Sequence, residues 1–211
     1  MKTIALLGAS GRTGQQFLAQ ALAQGYPIKA LVRTPSKMSQ QSEHLEIIHG
    51  DVLNQESVNK TVEGTDIVVS LFGHVKGSPD WVQSDGTRNI LSAMKKFDVP
   101  RIISLSGGGL PFPEKDQPKF ADKAIRTLMK VVAGQILKDA KKHHEILKKS
   151  DVTWTIVRAP RLTDGPKTDQ YRVGWVGVNA STKVSRADLA DFILKQVESE
   201  QFNFQMPFVS D

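Results

Sequence analysis

The 211-residue chain contains no cysteine, which excludes disulfides, thiolate nucleophiles and zinc–thiolate sites and makes a cytoplasmic location the expectation. Long hydrophobic runs are missing too. No segment approaches the roughly 20 apolar residues that cross a bilayer, so no membrane partner is expected. The opening MKTIALLGAS has an early lysine, but its apolar part, Thr3 to Leu7, runs straight into glycine and is too short for a secretory leader. It reads as a first strand. Aromatic residues make up only 7% of the chain, with two tyrosines, Tyr26 and Tyr171.

What is present describes a folded globule. Hydrophobic residues at 39% and charged residues at 24% are ordinary values, and the length suits one domain over residues 1–211 with a small elaboration. The net charge of +6 is local: residues 115 to 149 hold ten Lys or Arg against four Asp or Glu, which matches the whole surplus. That stretch has one aromatic residue, Phe120, and therefore no base-stacking surface. Nucleic acid is not an expected partner. The segment reads as a solvated helical face, or as a rim that attracts an anionic cofactor or substrate.

Short apolar runs alternate with helical segments, the signature of an α/β fold with a doubly wound parallel sheet and helices on both faces. Strands are expected at about 3–8, 28–32, 45–49, 66–72, 101–105 and 153–158. Between the first two, Phe17, Leu18, Ala21 and Leu22 share one helical stripe that stops at Gly25. Asn54 can cap a helix to Glu63, Asp85 can open one to Phe97, and residues 118–150 are helical in pattern with a break at Gly134. Beyond residue 160 turn residues dominate until SRADLADFILKQV, where Ser185 and Asp188 fit a capping box.

GASGRTG, Gly8 to Gly14, falls where the first strand turns into the first helix. A helix start presents unpaired N–H groups and partial positive charge, and glycines let a pyrophosphate approach the backbone, so the stretch points to a dinucleotide site. NAD-selective folds place an acidic residue about 20 positions further on, beside the adenosine ribose. Here Arg33 stands nineteen residues beyond Gly14, followed by Thr34, Ser36 and Lys37, with no carboxylate adjoining in sequence. A guanidinium suits a 2′-phosphate, so NADP is the expected cofactor, and Arg12 can close over the same phosphate. In Gly50-Asp51-Val52 the carboxylate either accepts from the adenine amino group or caps the next helix. His74, after Phe72-Gly73, reads as a loop histidine. His143 and His144 adjoin lysines, lack metal-ligand spacing and read as solvent-facing; no metal is expected. Trp154 reads as core, whereas Trp81 and Trp175 can wall an aromatic ligand.

Together GASGRTG, LVR, GDV, GTRNI (Gly86–Ile90), IVRAP (Ile156–Pro160) and SRADLA (Ser185–Ala190) resemble the atypical short-chain dehydrogenase/reductases of the NAD(P)H-binding, NmrA-like group. Within that group the chain looks most like the biliverdin-IX-beta reductase or flavin reductase type. The resemblance implies a Rossmann reductase passing a hydride from NADPH to a flavin, quinone, tetrapyrrole or related conjugated acceptor. It implies that Gly8, Ser10, Gly11, Arg12, Thr13 and Gly14 hold the pyrophosphate, Arg33 the 2′-phosphate, and Asp51 and Val52 the adenine. Leu71, Phe72 and Gly73 would line the path to the nicotinamide, and Ser106 to Gly109 would face the substrate.

Three features bear on the chemistry. Neither tyrosine is followed by lysine four residues on, since Ala30 and Trp175 stand there, so the Tyr-x-x-x-Lys pair that protonates a carbonyl in most short-chain dehydrogenases is missing. Gly107 replaces the serine of the mammalian flavin reductases, with Ser106 one place earlier, and Arg161 behind Pro160 replaces their histidine. A conjugated acceptor needs chiefly positioning and charge stabilisation, for which Arg161 and a hydrogen bond from Ser106 are the candidates. Gly107–Gly109 followed by LPFPEKDQP reads as a mobile lid. The alternative function is a non-catalytic NADP(H)-sensing regulator of the NmrA-like type. A monomer or small homo-oligomer is expected.

Overall fold

A computed structural model describes residues 1–120, 122, 124, 125, 127 and 132–211. Its first strand, β1 (Ile4–Leu7), is buried at every position, with Ile4 and Leu6 facing one helical layer and Ala5 and Leu7 the other. A strand covered on both faces has no polar side to show, which is why TIALL reads as a continuous apolar run. Helix α1 (Arg12–Ala23) buries Phe17, Leu18 and Ala21. It ends in a Schellman turn: Gly25, at φ +80°, donates its N–H to Leu22 O, and Tyr26 N–H reaches Ala21 O.

The chain continues through β2 (Ile28–Val32), β3 (Leu45–His49), α2 (Gln55–Val62), β4 (Ile67–Ser70), α3 (Val82–Lys96) and β5 (Arg101–Gly107). It then enters α4 (Gly134–Lys148), β6 (Thr153–Ala159), β7 (Arg161–Thr163), β8 (Arg172–Gly174), β9 (Lys183–Ser185), α5 (Arg186–Glu198) and β10 (Phe208–Ser210). The sheet order is β3-β2-β1-β4-β5-β6-β10-β8, parallel up to β10, with β8 antiparallel at the far edge. The reversal of winding between β1 and β4 makes this a Rossmann-type doubly wound sheet. Strands β7 and β9 form a separate parallel pair.

All six expected strands are present, β5 and β6 extending to Gly107 and Ala159. The short strands β7 to β10 were not anticipated. Asn54 caps α2 by accepting from Ser57 N–H at 2.9 Å, and Ser185 caps α5 by accepting from Asp188 N–H at 2.9 Å. Asp85 does not open α3; the helix begins at Val82 and Asp85 lies in its first turn. Helix α4 starts at Gly134, where the break was expected, and the portion of the expected 118–150 helix at residues 121, 123, 126 and 128–131 lies outside the described residues.

The two helical layers differ. Helices α1 and α5 enclose an apolar cluster, Phe17 and Leu18 against Leu189, Ile193 and Val197, on one face of the sheet. The other face, under α2, α3 and α4, mixes Ile90, Met94 and Trp154 with fully buried Asp139, His143 and Ser104. Trp154 is a core residue, as its sequence context indicated.

Candidate functional site

At the carboxyl edge of the sheet, where β1 and β4 lead to loops running in opposite directions, a cleft of about 530 Å³ opens. Its floor is the β1–α1 loop. Gly8 sits at φ +94°, and a Cβ there would come within 2.5 Å of Phe72 N, so glycine is required by conformation and by space. A Cβ on Gly14 would meet Gly8 O at 2.1 Å; the helix start rests directly on the loop. A Cβ on Gly11 would meet only Gly8 O, at 3.2 Å, leaving the outer side of the loop open. Helix α1 has no side-chain cap, and among the described residues no protein group accepts from the N–H groups of Arg12, Thr13 or Gly14. Open space in front of the free N–H donors of Arg12 and Thr13 fits a phosphate.

Of the residues assigned to the cofactor from sequence, Gly8, Ser10, Gly11, Arg12, Thr13, Arg33, Asp51, Val52, Leu71, Phe72 and Gly73 all line this one cleft. Gly14 does not; it serves the packing of helix on loop. Asp51 is not the cap of α2. One of its oxygens accepts from Leu53 N–H at 2.8 Å, and the other lies 3.8 Å from Arg33 Nε. Arg33 therefore has a carboxylate neighbour in space that its sequence surroundings did not show. Gly86 in α3 has a packing role as well, since a Cβ there would meet the Phe72 ring at 2.7 Å.

Several cleft residues were given no site role from sequence. Arg186, at the start of α5, shares Asp164 with Arg12, its guanidinium 2.5 Å and that of Arg12 3.2 Å from the two carboxylate oxygens. Lys37 lines the cleft near Arg33, giving four cations against the one lining carboxylate, Asp51. His74 lines it too, with Nε2 2.8 Å from Asp139 of α4.

Asp139 is fully buried and accepts from Gln83 N–H at 2.9 Å, Ser84 N–H at 3.0 Å and the Ser84 hydroxyl. It thus caps α3 from another helix, the place expected for Asp85. One turn on, His143 is not solvent-facing but fully buried. Thr87 Oγ1 spends its proton on Gln83 O at 2.7 Å, so it accepts from His143 Nδ1–H at 2.8 Å, which leaves Nε2 to accept from the Ser104 hydroxyl at 2.9 Å. Burial holds this imidazole neutral, lowering its pKa to about 4. His144 is half-buried against Trp154. The signal available was spacing: Asp139 and His143 lie four apart and so share a helix face, away from the lysines that flank them in sequence.

Other assignments are placed differently. Ser106 is buried on β5, its hydroxyl without a partner, and Arg161 is exposed on β7; neither lines the cleft. The segment after Gly109 is pinned rather than free. Leu110 and Phe112 are buried, and Asp116 forms a two-pronged ion pair with fully buried Arg158 at 2.8 and 2.9 Å. Desolvation opposes ionisation of Asp116, but hydrogen bonds from Arg158 and the Phe112 amide outweigh it and hold its pKa low. Trp175 packs 5.7 Å from Phe112, Trp81 lies under Lys142 Nζ at 4.2 Å, and neither walls the cleft. Tyr171 does meet a lysine in space, Lys195 Nζ at 3.1 Å, but outside the cleft. Burial and Asp191 push its phenol up to about 12, the wrong direction for a proton donor.

A glycine-built helix start facing the switch point of a parallel sheet defines a Rossmann-type dinucleotide site. Residues 8–200 match the family described as NAD(P)H-binding, and the chain belongs to that family. It is 27% identical to the uncharacterized protein YwnB of Bacillus subtilis over 99% of this chain and 98% of that protein. In fold it is similar to a short-chain dehydrogenase/reductase of Veillonella parvula solved in complex with NADP, with a TM-score of 0.83 and 19% identity over 100% of this chain and 94% of that one. It is similar also to ChuY of Escherichia coli O157:H7, described as an anaerobillin reductase, with a TM-score of 0.79 and 19% identity over 100% and 97% of the two chains. Family and fold bear out the resemblance to the atypical short-chain dehydrogenase/reductases. No described helix is long and apolar enough to cross a membrane.

Proposed function

We propose that the protein is a cytoplasmic NADPH-dependent reductase that delivers a hydride to a conjugated acceptor of the flavin, quinone or tetrapyrrole kind. The observation that carries this reading is the meeting, in one cleft, of the uncapped start of α1 with Arg33 and Lys37 at the end of β2. The amides of Arg12 and Thr13, assisted by the Arg12 and Arg186 side chains, would hold the pyrophosphate, with Gly14 seating the helix start on the loop. Arg33 and Lys37 would take the 2′-phosphate, a dianion that outweighs the attraction of Asp51 for Arg33. Asp51 and Val52 would face the adenine, and Leu71, Phe72 and Gly73 the nicotinamide end. The cofactor supplies the hydride; the chain supplies position, charge and exclusion of water. Ser106 and Arg161 take no part in this reading because they stand outside the cleft.

Calorimetry should detect NADPH binding, and NADPH absorbance should fall on addition of FMN, menadione or biliverdin. Absence of binding in any redox form ends the reading. Arg33→Asp should shift the NADPH-to-NADH affinity ratio by about tenfold or more toward NADH, the loss of one charge-assisted phosphate contact; an unchanged ratio removes Arg33 from the phosphate site.

A further inference from the structure

Resting on that reading of the cleft, we propose that His74, held by Asp139, is the proton donor to the reduced acceptor. A conjugated acceptor that receives a hydride holds a new C–H or N–H bond and an extra electron pair, and needs one proton to become the neutral dihydro product. Among the cleft-lining side chains, guanidinium and ammonium groups keep their protons in neutral water, Asp51 is a carboxyl group, and hydroxyls are weak acids. His74 is the one imidazole there, the side chain type that gives and regains a proton near neutral pH.

Its setting matches that role. Nε2–H is committed to Asp139 at 2.8 Å, while Nδ1 has no protein partner among the described residues. Asp139 in turn is fixed by two main-chain N–H groups and a hydroxyl, with no exposure to water. A carboxylate held this way orients the ring, the arrangement of base and orienting group found where a histidine moves protons. His74 also directly follows Leu71, Phe72 and Gly73, at the end of the cleft opposite Arg33 and Lys37 in the proposed cofactor pose. The charged or titratable groups that bear on it are Asp139 beneath it, His143 one turn further along α4, and Arg12, Arg33, Lys37, Asp51 and Arg186 lining the same cleft.

In the proposed step the hydride adds to the acceptor, Nδ1–H of the imidazolium passes its proton to the anion so formed, and the neutral imidazole is reprotonated from water. The sum is acceptor plus NADPH plus H⁺ giving dihydro-acceptor plus NADP⁺.

Two measurements test this on the full chain. With menadione and NADPH, the wild-type kcat should fall as pH rises through the range where imidazoles titrate. His74→Gln should lose that dependence and about ten- to hundredfold in kcat, the size of one general-acid contribution, with NADPH affinity unchanged. Separately from turnover, carbethoxylation of His74 by diethyl pyrocarbonate, mapped by peptide mass spectrometry, should slow at saturating NADP⁺. A His74→Gln protein with the wild-type rate and pH profile, or a His74 that reacts equally fast with and without bound NADP⁺, overturns the proposal and leaves the cofactor reading intact. Failure of the wild-type chain to bind NADPH, or binding without turnover of FMN, menadione or biliverdin, overturns both the reductase reading and the proposal.

Discussion

The two sides of the sheet solve different problems. On the α1–α5 side the packing against the sheet is dry: Phe17, Leu18, Leu189, Ile193 and Val197 interlock, the buried carboxylates Asp188 and Asp191 of α5 turn instead to Thr168 and Tyr171, and the layer reaches the cleft through the glycine loop at the start of α1 and through Arg186 at the start of α5. On the α3–α4 side the same sheet is covered by Asp139, His143, Ser104, Thr87, Arg158 and Asp116, all but excluded from water and all hydrogen-bonded. Apolar packing fixes distance, whereas hydrogen bonds fix direction. The side that positions the proposed phosphate cradle needs the first; the side that aims a histidine and ties down the segment after β5 needs the second.

Removing one member of each set should separate them. Phe17→Ala on the dry side and Arg158→Met on the polar side should each lower the unfolding free energy by about 3 to 5 kcal/mol, one through a cavity and the other through a stranded buried carboxylate. The distinction lies in rescue: Arg158→Met combined with Asp116→Leu should recover most of the loss, since the burial cost of the charge goes with it. Urea titrations of the single and double variants decide this, and a double variant no better than the single would show that the ion pair is not the source of the cost.

A somewhat smaller effect distinguishes the sides by pH. His143 has a folded-state pKa of about 4 against an ordinary 6.5, so the unfolded chain takes up the proton first as pH falls. Its contribution is fully present above about pH 6.5 and is lost between there and about pH 4, by roughly 3 kcal/mol. Asp116, with a lowered pKa, loses its contribution only at still more acid pH, below the ordinary carboxylate range. Unfolding free energies of wild type and His143→Gln, followed from pH 7 to 4, should converge; parallel curves would place the titration elsewhere. Smallest of all, Arg12→Gln should change the stability of the cofactor-free protein by less than about 0.5 kcal/mol, because its bridge to Asp164 is 71% and 66% exposed at its two ends.

These contrasts also decide what could be read in the sequence. Gly11 and Gly14, the left-handed turn at Gly8, the apolar strands and the caps Asn54 and Ser185 answer to constraints within a few residues, so they stand out in the chain itself. Arg33 and the cleft-lining residues after β1, β2, β3 and β4 follow because a parallel sheet delivers every strand end to one edge. What stayed hidden depends on partners far away in sequence. Asp139 caps a helix that starts 57 residues earlier, and Arg158 reaches back 42 residues to Asp116, turning an expected lid into a fixture. Helical face mattered more than sequence neighbourhood for His143, whose adjacent lysines pointed it to solvent. The strand β10, three residues long, had too little pattern to announce itself.

One arrangement carries a broader implication. Because a carboxylate from α4 begins α3 and grips His74 at once, the bearing of that imidazole is inherited from how two helices are seated against each other, and not from the loop in which it sits. A change in the seating of α4, even one made far down its length, would swing the ring before it disturbed the glycine cradle, so the proposed affinity for the nucleotide and the proposed handling of the proton can drift apart independently.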